Sequence, residues 1–155
     1  MTDATDAPVP TWVRLVLIIP LAIPQLVIGV WAIVAPRSWY DTFPGFDPHL
    51  VAAEPPFNQH LATDVGAGFL ATGIALVVAA ALARRSGAYV ALAAYASFSI
   101  VHFGYHVTHQ AATLTTRENV LNLALLGSGL IWLALAAWGA RPQPRPTPTD
   151  PTVGL

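Results

Sequence analysis

Four apolar segments, each long enough to cross a bilayer, constrain the fold of this chain more than any other feature. They cover residues 12–35, 59–83, 88–109 and 118–138. A transmembrane helix needs about 20 mainly apolar residues, because each residue adds about 1.5 Å and the hydrocarbon core is about 30 Å thick. The sequence therefore predicts an all-α fold, a four-helix transmembrane bundle whose main surroundings are the lipid bilayer.

The composition agrees with a membrane-embedded chain. Hydrophobic residues make up 55% of the 155 residues and charged residues only 10%, whereas a soluble domain carries about 25% charged residues. The net charge of −1 gives no basis for nucleic-acid binding. Cysteine is absent, which excludes disulfides, thiolate metal ligands and a cysteine nucleophile.

The remaining segments divide the chain into one membrane domain and two tails. Residues 1–11 are polar and predict a disordered N-terminal tail, and residues 140–155 alternate proline with polar residues and predict a second disordered tail. The membrane domain covers residues 12–139. Its long outer loop, residues 36–58, contains Pro-Gly and Pro-Pro turn signals.

The arginines predict how the bundle sits in the membrane. All seven basic residues are arginine, and with four spans five of them fall on one side, opposite Arg37 and Arg117. Arginine-rich loops usually remain in the cytoplasm. We therefore predict a multi-pass protein of the plasma (inner) membrane with both termini cytoplasmic. The five cytoplasmic arginines are Arg14, Arg84, Arg85, Arg141 and Arg145.

Ionisable side chains gather at the predicted outer ends of the second and third spans. His60 and Asp64 are four residues apart near the start of the second span. His102, His106 and His109 lie near the end of the third, and residues spaced by three or four share one helix face. Because the two spans run in opposite directions, both groups reach similar depths. We predict that the two groups face each other.

This cluster predicts a metal site, since imidazole and carboxylate are common ligands of zinc, iron and copper. The predicted ligands are the five side chains His60, Asp64, His102, His106 and His109. Haem held by two histidines on facing helices is a second possibility. Polar residues at comparable depth are predicted to support the ligands by hydrogen bonds. They are Asn58, Tyr105, Asn119 and Asn122.

Two other functions stay open at this stage. Histidine and aspartate relay protons in transporters, which favours a proton-coupled or small-solute transporter. A purely structural Asp–His pair would instead suit an accessory subunit of a larger membrane complex, with no chemistry of its own. A homo-oligomer is compatible with each of these functions, and the sequence leaves open whether the protein is an enzyme. No serine lies in a nucleophile elbow, and the histidines are too few for a two-metal hydroxylase.

Local signals predict where two helices start and where helices pack. Asn58 is a predicted N-cap of the second span, and Thr115-x-x-Glu118 is a predicted capping box for the fourth. Small residues let helix backbones approach closely in lipid. They occur in the second span at Gly66, Gly68, Ala71 and Gly73, and in the fourth at Gly127, Ser128 and Gly129.

Three motifs carry a family resemblance. They are Pro36-Arg-Ser-Trp-Tyr-Asp-x-Phe-Pro-Gly45, Pro55-Pro-Phe-Asn-x-His-Leu-x-x-Asp-Val-Gly66 and His102-Phe-x-Tyr-His106-x-x-His109. With these motifs, residues 12–138 resemble a group of small, uncharacterised four-span bacterial membrane proteins, which are loosely similar to DoxX-like proteins. The resemblance implies a four-helix membrane fold and assigns no catalytic role.

Overall fold

Five helices account for most of residues 7–142, the part of the chain that the computed structural model describes. The predicted tails at residues 1–6 and 143–155 lie outside these described residues. The helices are α1 (Thr11–Val34), α2 (Pro36–Thr42), α3 (Gln59–Leu82), α4 (Arg85–Thr108) and α5 (Thr116–Gly139).

Four of these helices, α1, α3, α4 and α5, are long and apolar enough to span a membrane. Each has 24 residues, or about 36 Å of helix, against a hydrocarbon core of about 30 Å. This confirms the prediction of four apolar spans in an all-helical bundle. The largest boundary error is at α4, which begins at Arg85 rather than residue 88 because it starts directly after the left-handed Ala83 and the extended Arg84.

The four long helices form a closed ring. Helix α1 packs against α3 and α5, and α4 packs against the same two neighbours. We call the end of the bundle near Trp12 and Trp138 the terminal end; the two rings lie 6.3 Å apart there. We call the opposite end, which carries residues 43–58 and 109–115, the loop end.

The main cluster of buried apolar side chains lies toward the terminal end. All four long helices contribute to this cluster; its members include Val13, Leu17, Leu21, Leu76, Leu92 and Ala136. Arg14 is kept at the margin of this cluster, where its Nε donates to the carbonyl oxygen of Ala80 at 2.8 Å. Pro20, which lacks an N–H donor, lies in a wider π-helical turn, Leu17–Ala22.

Glycines bring α1 and α3 into backbone contact. A Cβ at Gly29 would lie 2.7 Å from the backbone nitrogen of Leu70, and a Cβ at Gly66 would lie 3.0 Å from the carbonyl oxygen of Gly29. Gly66 therefore packs as the small-residue pattern predicts. Gly68 and Ala71 instead lie on an exposed face of α3.

The end of the predicted N-terminal tail is fixed against the turn between α3 and α4. The backbone N–H of Val9 donates to the oxygen of Ala83 at 2.9 Å, and that of Arg85 donates to the oxygen of Ala7 at 3.1 Å. Val9 is buried. Val9 holds this segment in place because its side chain belongs to the core cluster. The polar composition of residues 1–11 gives no sign of this contact.

Residues 36–58 form a folded cap over the loop end of α1 and α3. Trp39 of α2 is buried against Ala32 and Ala62. The Nε of Arg37 lies 2.7 Å from a carboxylate oxygen of Asp41; the Arg37 side chain is exposed and that of Asp41 is partly exposed. Arg37 and Asp41 thus pair with each other on the surface of the cap.

Candidate functional site

Two histidines of α4 meet near the loop end of the bundle. The imidazoles of His102 and His106 are perpendicular, with ring centroids 4.9 Å apart. Both side chains are partly buried. The ring of Phe98 stacks on His102 at 5.4 Å, which fixes the orientation of that imidazole from one side. We call His102 and His106 the histidine pair.

The neighbouring elements add polar groups to the histidine pair. The amide nitrogen of Asn122, on α5, lies 3.5 Å from Nδ1 of His106. The carboxylate of Glu54, in the cap, is near enough to His106 to interact with it electrostatically. Asn122 of α5 thus contacts His106, and the carboxylate of Glu54 in the cap interacts electrostatically with the same histidine.

The third histidine of α4 has a different environment. The ring of His109 stacks on Tyr105 at 4.5 Å, and its Nδ1 lies 2.9 Å from the hydroxyl of Thr108. His109 is exposed. Tyr105 also meets the edge of His106, with centroids 5.4 Å apart. Tyr105 thus separates His109 from the histidine pair.

His60 and Asp64 of α3 pair with each other. Nε2 of His60 lies 3.4 Å from Oδ2 of Asp64, and the two side chains are 82% and 60% exposed. Asn58, predicted to support the metal ligands, caps α3 by accepting a hydrogen bond from the N–H of Leu61 at 3.1 Å. This bears out its predicted role as N-cap.

Asn119 stabilises the turn between α4 and α5. It is buried; its side chain accepts from the N–H of Ala111 and donates toward the oxygens of Ala111, Leu114 and Thr115, each at 3.2 Å. The predicted capping box of Thr115 and Glu118 is confirmed beside it. Asn119 thus uses its amide to hold the turn.

The predicted five-residue metal site is not assembled as a single site. Within residues 7–142, no three His, Cys, Asp or Glu side chains converge where they would hold a metal ion together. Instead the structure brings His102 together with His106, and His60 together with Asp64. Metal binding by all five side chains stays a prediction.

A buried polar network deeper in the bundle is not identified by the sequence patterns. The hydroxyl of Thr72 on α3 donates to Oε1 of Gln25 on α1 at 2.9 Å, and Gln25 is buried. The hydroxyl of Tyr95 on α4 interacts with Gln25 and Ser99. The available signal was a polar residue within three of the four apolar segments, the first, second and third. We call these four residues the polar network.

No family model, no curated protein and no solved structure matches this chain.

Proposed function

We propose that this is a small integral membrane protein that binds a transition metal ion, or the metal of a larger cofactor, at the loop end between α4 and α5. The proposal rests on one observation, the partly buried and perpendicular pair of His102 and His106. Two imidazoles one helical turn apart present their nitrogens from the same helix face, an arrangement that zinc sites commonly use.

The surroundings of the pair support this proposal. A metal-binding imidazole usually has its second ring nitrogen hydrogen-bonded, which fixes its orientation and tautomer. Asn122 is positioned for this role at Nδ1 of His106, 3.5 Å away. With the amide oxygen of Asn122 toward that nitrogen, Nδ1 would carry the proton and Nε2 would remain available to a metal ion. Solvent or an incoming ligand would complete the coordination.

Haem is a less favoured occupant. Axial ligation by two protein histidines needs them on opposite sides of the porphyrin, whereas His102, His106 and His109 all lie on α4 and His60 is paired with Asp64. A single axial histidine remains compatible with the geometry, and an absorbance spectrum distinguishes the two occupants.

A proton-coupled transporter is the second candidate function, because polar groups follow one face of α4 inward. His106, His102, Ser99 and Tyr95 are spaced by four, three and four residues. The series ends at Tyr95, which belongs to the same buried cluster as the aliphatic core toward the terminal end. We therefore favour a binding site over a continuous path across the membrane.

We also propose that the loop end faces the exterior of the plasma (inner) membrane, with both termini cytoplasmic. The excess of arginine outside the two loop-end connections supports this orientation. A reporter fused after Arg145 should give a cytoplasmic signal, and a periplasmic signal would reverse the orientation. The resemblance to four-span bacterial proteins of the loosely DoxX-like kind remains a proposal that rests on the motifs alone.

The deciding experiment is elemental analysis with an absorbance spectrum of detergent-purified protein. We expect about one metal ion per chain that is lost in the His102→Ala, His106→Ala double variant. His49→Ala is the matched control, because His49 is an exposed cap residue whose ring faces Asp47 at 3.5 Å. A Soret band would identify haem.

Equal metal content in the double variant and in the control would contradict the proposed site. Altered flux or proton release with unchanged metal content would then favour the transporter. Lost stability or lost recovery of a partner, with no other effect, would favour an accessory subunit of a larger membrane complex.

A further inference from the structure

The pair of His60 and Asp64 faces away from the bundle. The same face of α3 continues through the exposed small residues Ala67, Gly68 and Ala71. Among residues 7–142, a Cβ built on Gly68 would meet no atom within 4 Å apart from the nearby backbone of its own helix. We call these five residues the open face of α3.

Lipid is a poor neighbour for this face. Asp64 is the sixth residue of α3, which places it about 7 Å along the helix from its first residue. An ionisable group inside a span costs up to a few kcal/mol in contact with lipid, less near a helix end than at its centre, and normally has a polar or ionic partner. The only ion-pair partner that the described residues give Asp64 is His60, which is itself 82% exposed. A second polar or ionic partner would therefore stabilise the exposed pair.

The pair also supplies two of the four ligands that a zinc site usually has. Zinc is usually bound by four ligands drawn from histidine, aspartate, glutamate and cysteine. One chain supplies two such ligands here, and no three converge within residues 7–142. A two-fold axis along the membrane normal would place the His60 and Asp64 of a second copy at the same depth as the first pair.

We propose that the open face of α3 is the contact of a homodimer, in which His60 and Asp64 of both copies bind one divalent transition metal ion such as zinc. The small side chains of Ala67, Gly68 and Ala71 let the two α3 helices approach closely just below the ion. The ion neutralises the charge of the two carboxylates. This site goes beyond the proposed function and uses none of its ligands.

Cysteine crosslinking tests the dimer directly, because the chain has no cysteine of its own. Ala71→Cys places one thiol on the open face, about 10 Å below Asp64. Ser128→Cys is the matched control, since Ser128 is exposed on α5. Ser128 and Ala71 each lie twelve residues after the first residue of their helix, so the two thiols are at similar depths. Both variants are reconstituted in lipid vesicles and treated with a short thiol-reactive crosslinker, with zinc or with a chelator.

We expect zinc to raise the yield of crosslinked Ala71→Cys dimer by about tenfold. A metal ion that binds only the dimer shifts the monomer–dimer equilibrium toward the dimer by mass action. The Ser128→Cys control should show no change. Adding His60→Ala, or Asp64→Asn, to Ala71→Cys should abolish the zinc effect. Bound zinc lost with His60→Ala should amount to one ion for every two chains.

Crosslinking that is equal with zinc and with chelator, or that survives His60→Ala, would overturn the metal-bridged dimer. Absence of dimer at every zinc concentration would overturn it as well. Repeating the measurement with His102→Ala and His106→Ala separates the two sites: a zinc-dependent dimer in that background supports the open face whether or not the first site binds metal.

Discussion

The hydroxyl of Tyr95 lies directly against Gly129, so that α4 and α5 meet near their midpoints with no side chain of residue 129 between them. A Cβ at Gly129 would overlap this hydroxyl, and Tyr95 is buried. Tyr95 also belongs to the polar network that joins α4 to α1. The glycine thus makes room for a polar side chain in the middle of the membrane.

Gly129→Ala should therefore destabilise the bundle, by about 1–3 kcal/mol, as overpacking of a close contact does. Tyr95→Phe removes the overlapping oxygen, so the same glycine change should cost much less in that background. Unfolding of the four proteins in detergent measures this as a double-mutant cycle. Equal costs in both backgrounds would show that the hydroxyl is not the obstacle.

Gly29→Ala should weaken the contact between α1 and α3. The added methyl would lie 2.7 Å from the backbone nitrogen of Leu70 and 2.9 Å from the oxygen of Gly66, and backbone atoms cannot move aside cheaply. We expect a loss of about 1–3 kcal/mol in unfolding free energy. Gly104→Ala is the control, because a Cβ there meets no atom of the described chain within 4 Å beyond the nearby backbone of its own helix. The prediction fails if both variants unfold alike.

Gln25 and Thr72 should show a measurable interaction energy across the α1–α3 contact. Thr72→Val removes the hydroxyl that donates to Gln25 at 2.9 Å while keeping the shape of the side chain. Hydrogen bonds between membrane helices average about 0.6 kcal/mol. A double-mutant cycle with Gln25→Leu should return a coupling of about that size. A coupling indistinguishable from zero would show that the bond adds no stability.

Substitution of two asparagines one turn apart on α5 should have different effects, one on stability and the other on metal affinity. Asn119→Ala removes four hydrogen bonds to the turn and should lower unfolding free energy by about 1–3 kcal/mol, with metal affinity preserved. Asn122→Ala removes the partner of His106 and should weaken metal binding about 10–100-fold, with stability preserved. Calorimetric metal titration and thermal unfolding of both variants measure the contrast. Identical metal affinity in the two variants would exclude Asn122 from the site.

The existence and length of the four spans could be predicted because they depend only on long apolar segments. The caps could be predicted too, since Asn58 and Thr115 act within one helical turn of their own position. The grouping of His102 with His106 follows from their spacing on one helix. These features are all local in the chain.

The rotation of each span could not be predicted, because helices that are apolar on every side give no signal of which face points inward. The sequence placed Asp64 opposite the histidines of the third span, whereas the structure turns it outward with His60. The same ambiguity hides the pairing of Gln25 with Thr72 from sequence patterns. Their contact depends on the close approach of α1 and α3 at Gly29 and Gly66.

The hydrogen bond from the hydroxyl of Thr113 to the oxygen of Ala53, at 3.0 Å, joins segments that are synthesised at different times. Ala53 belongs to the cap between α1 and α3, and Thr113 lies between α4 and α5. A nascent chain therefore exposes an unfinished cap until the third long helix has crossed the bilayer and the turn after it has emerged. Closure of the loop end thus has to wait for α4 and the turn after it, and a chain truncated before residue 113 should be more open to proteolysis at the cap.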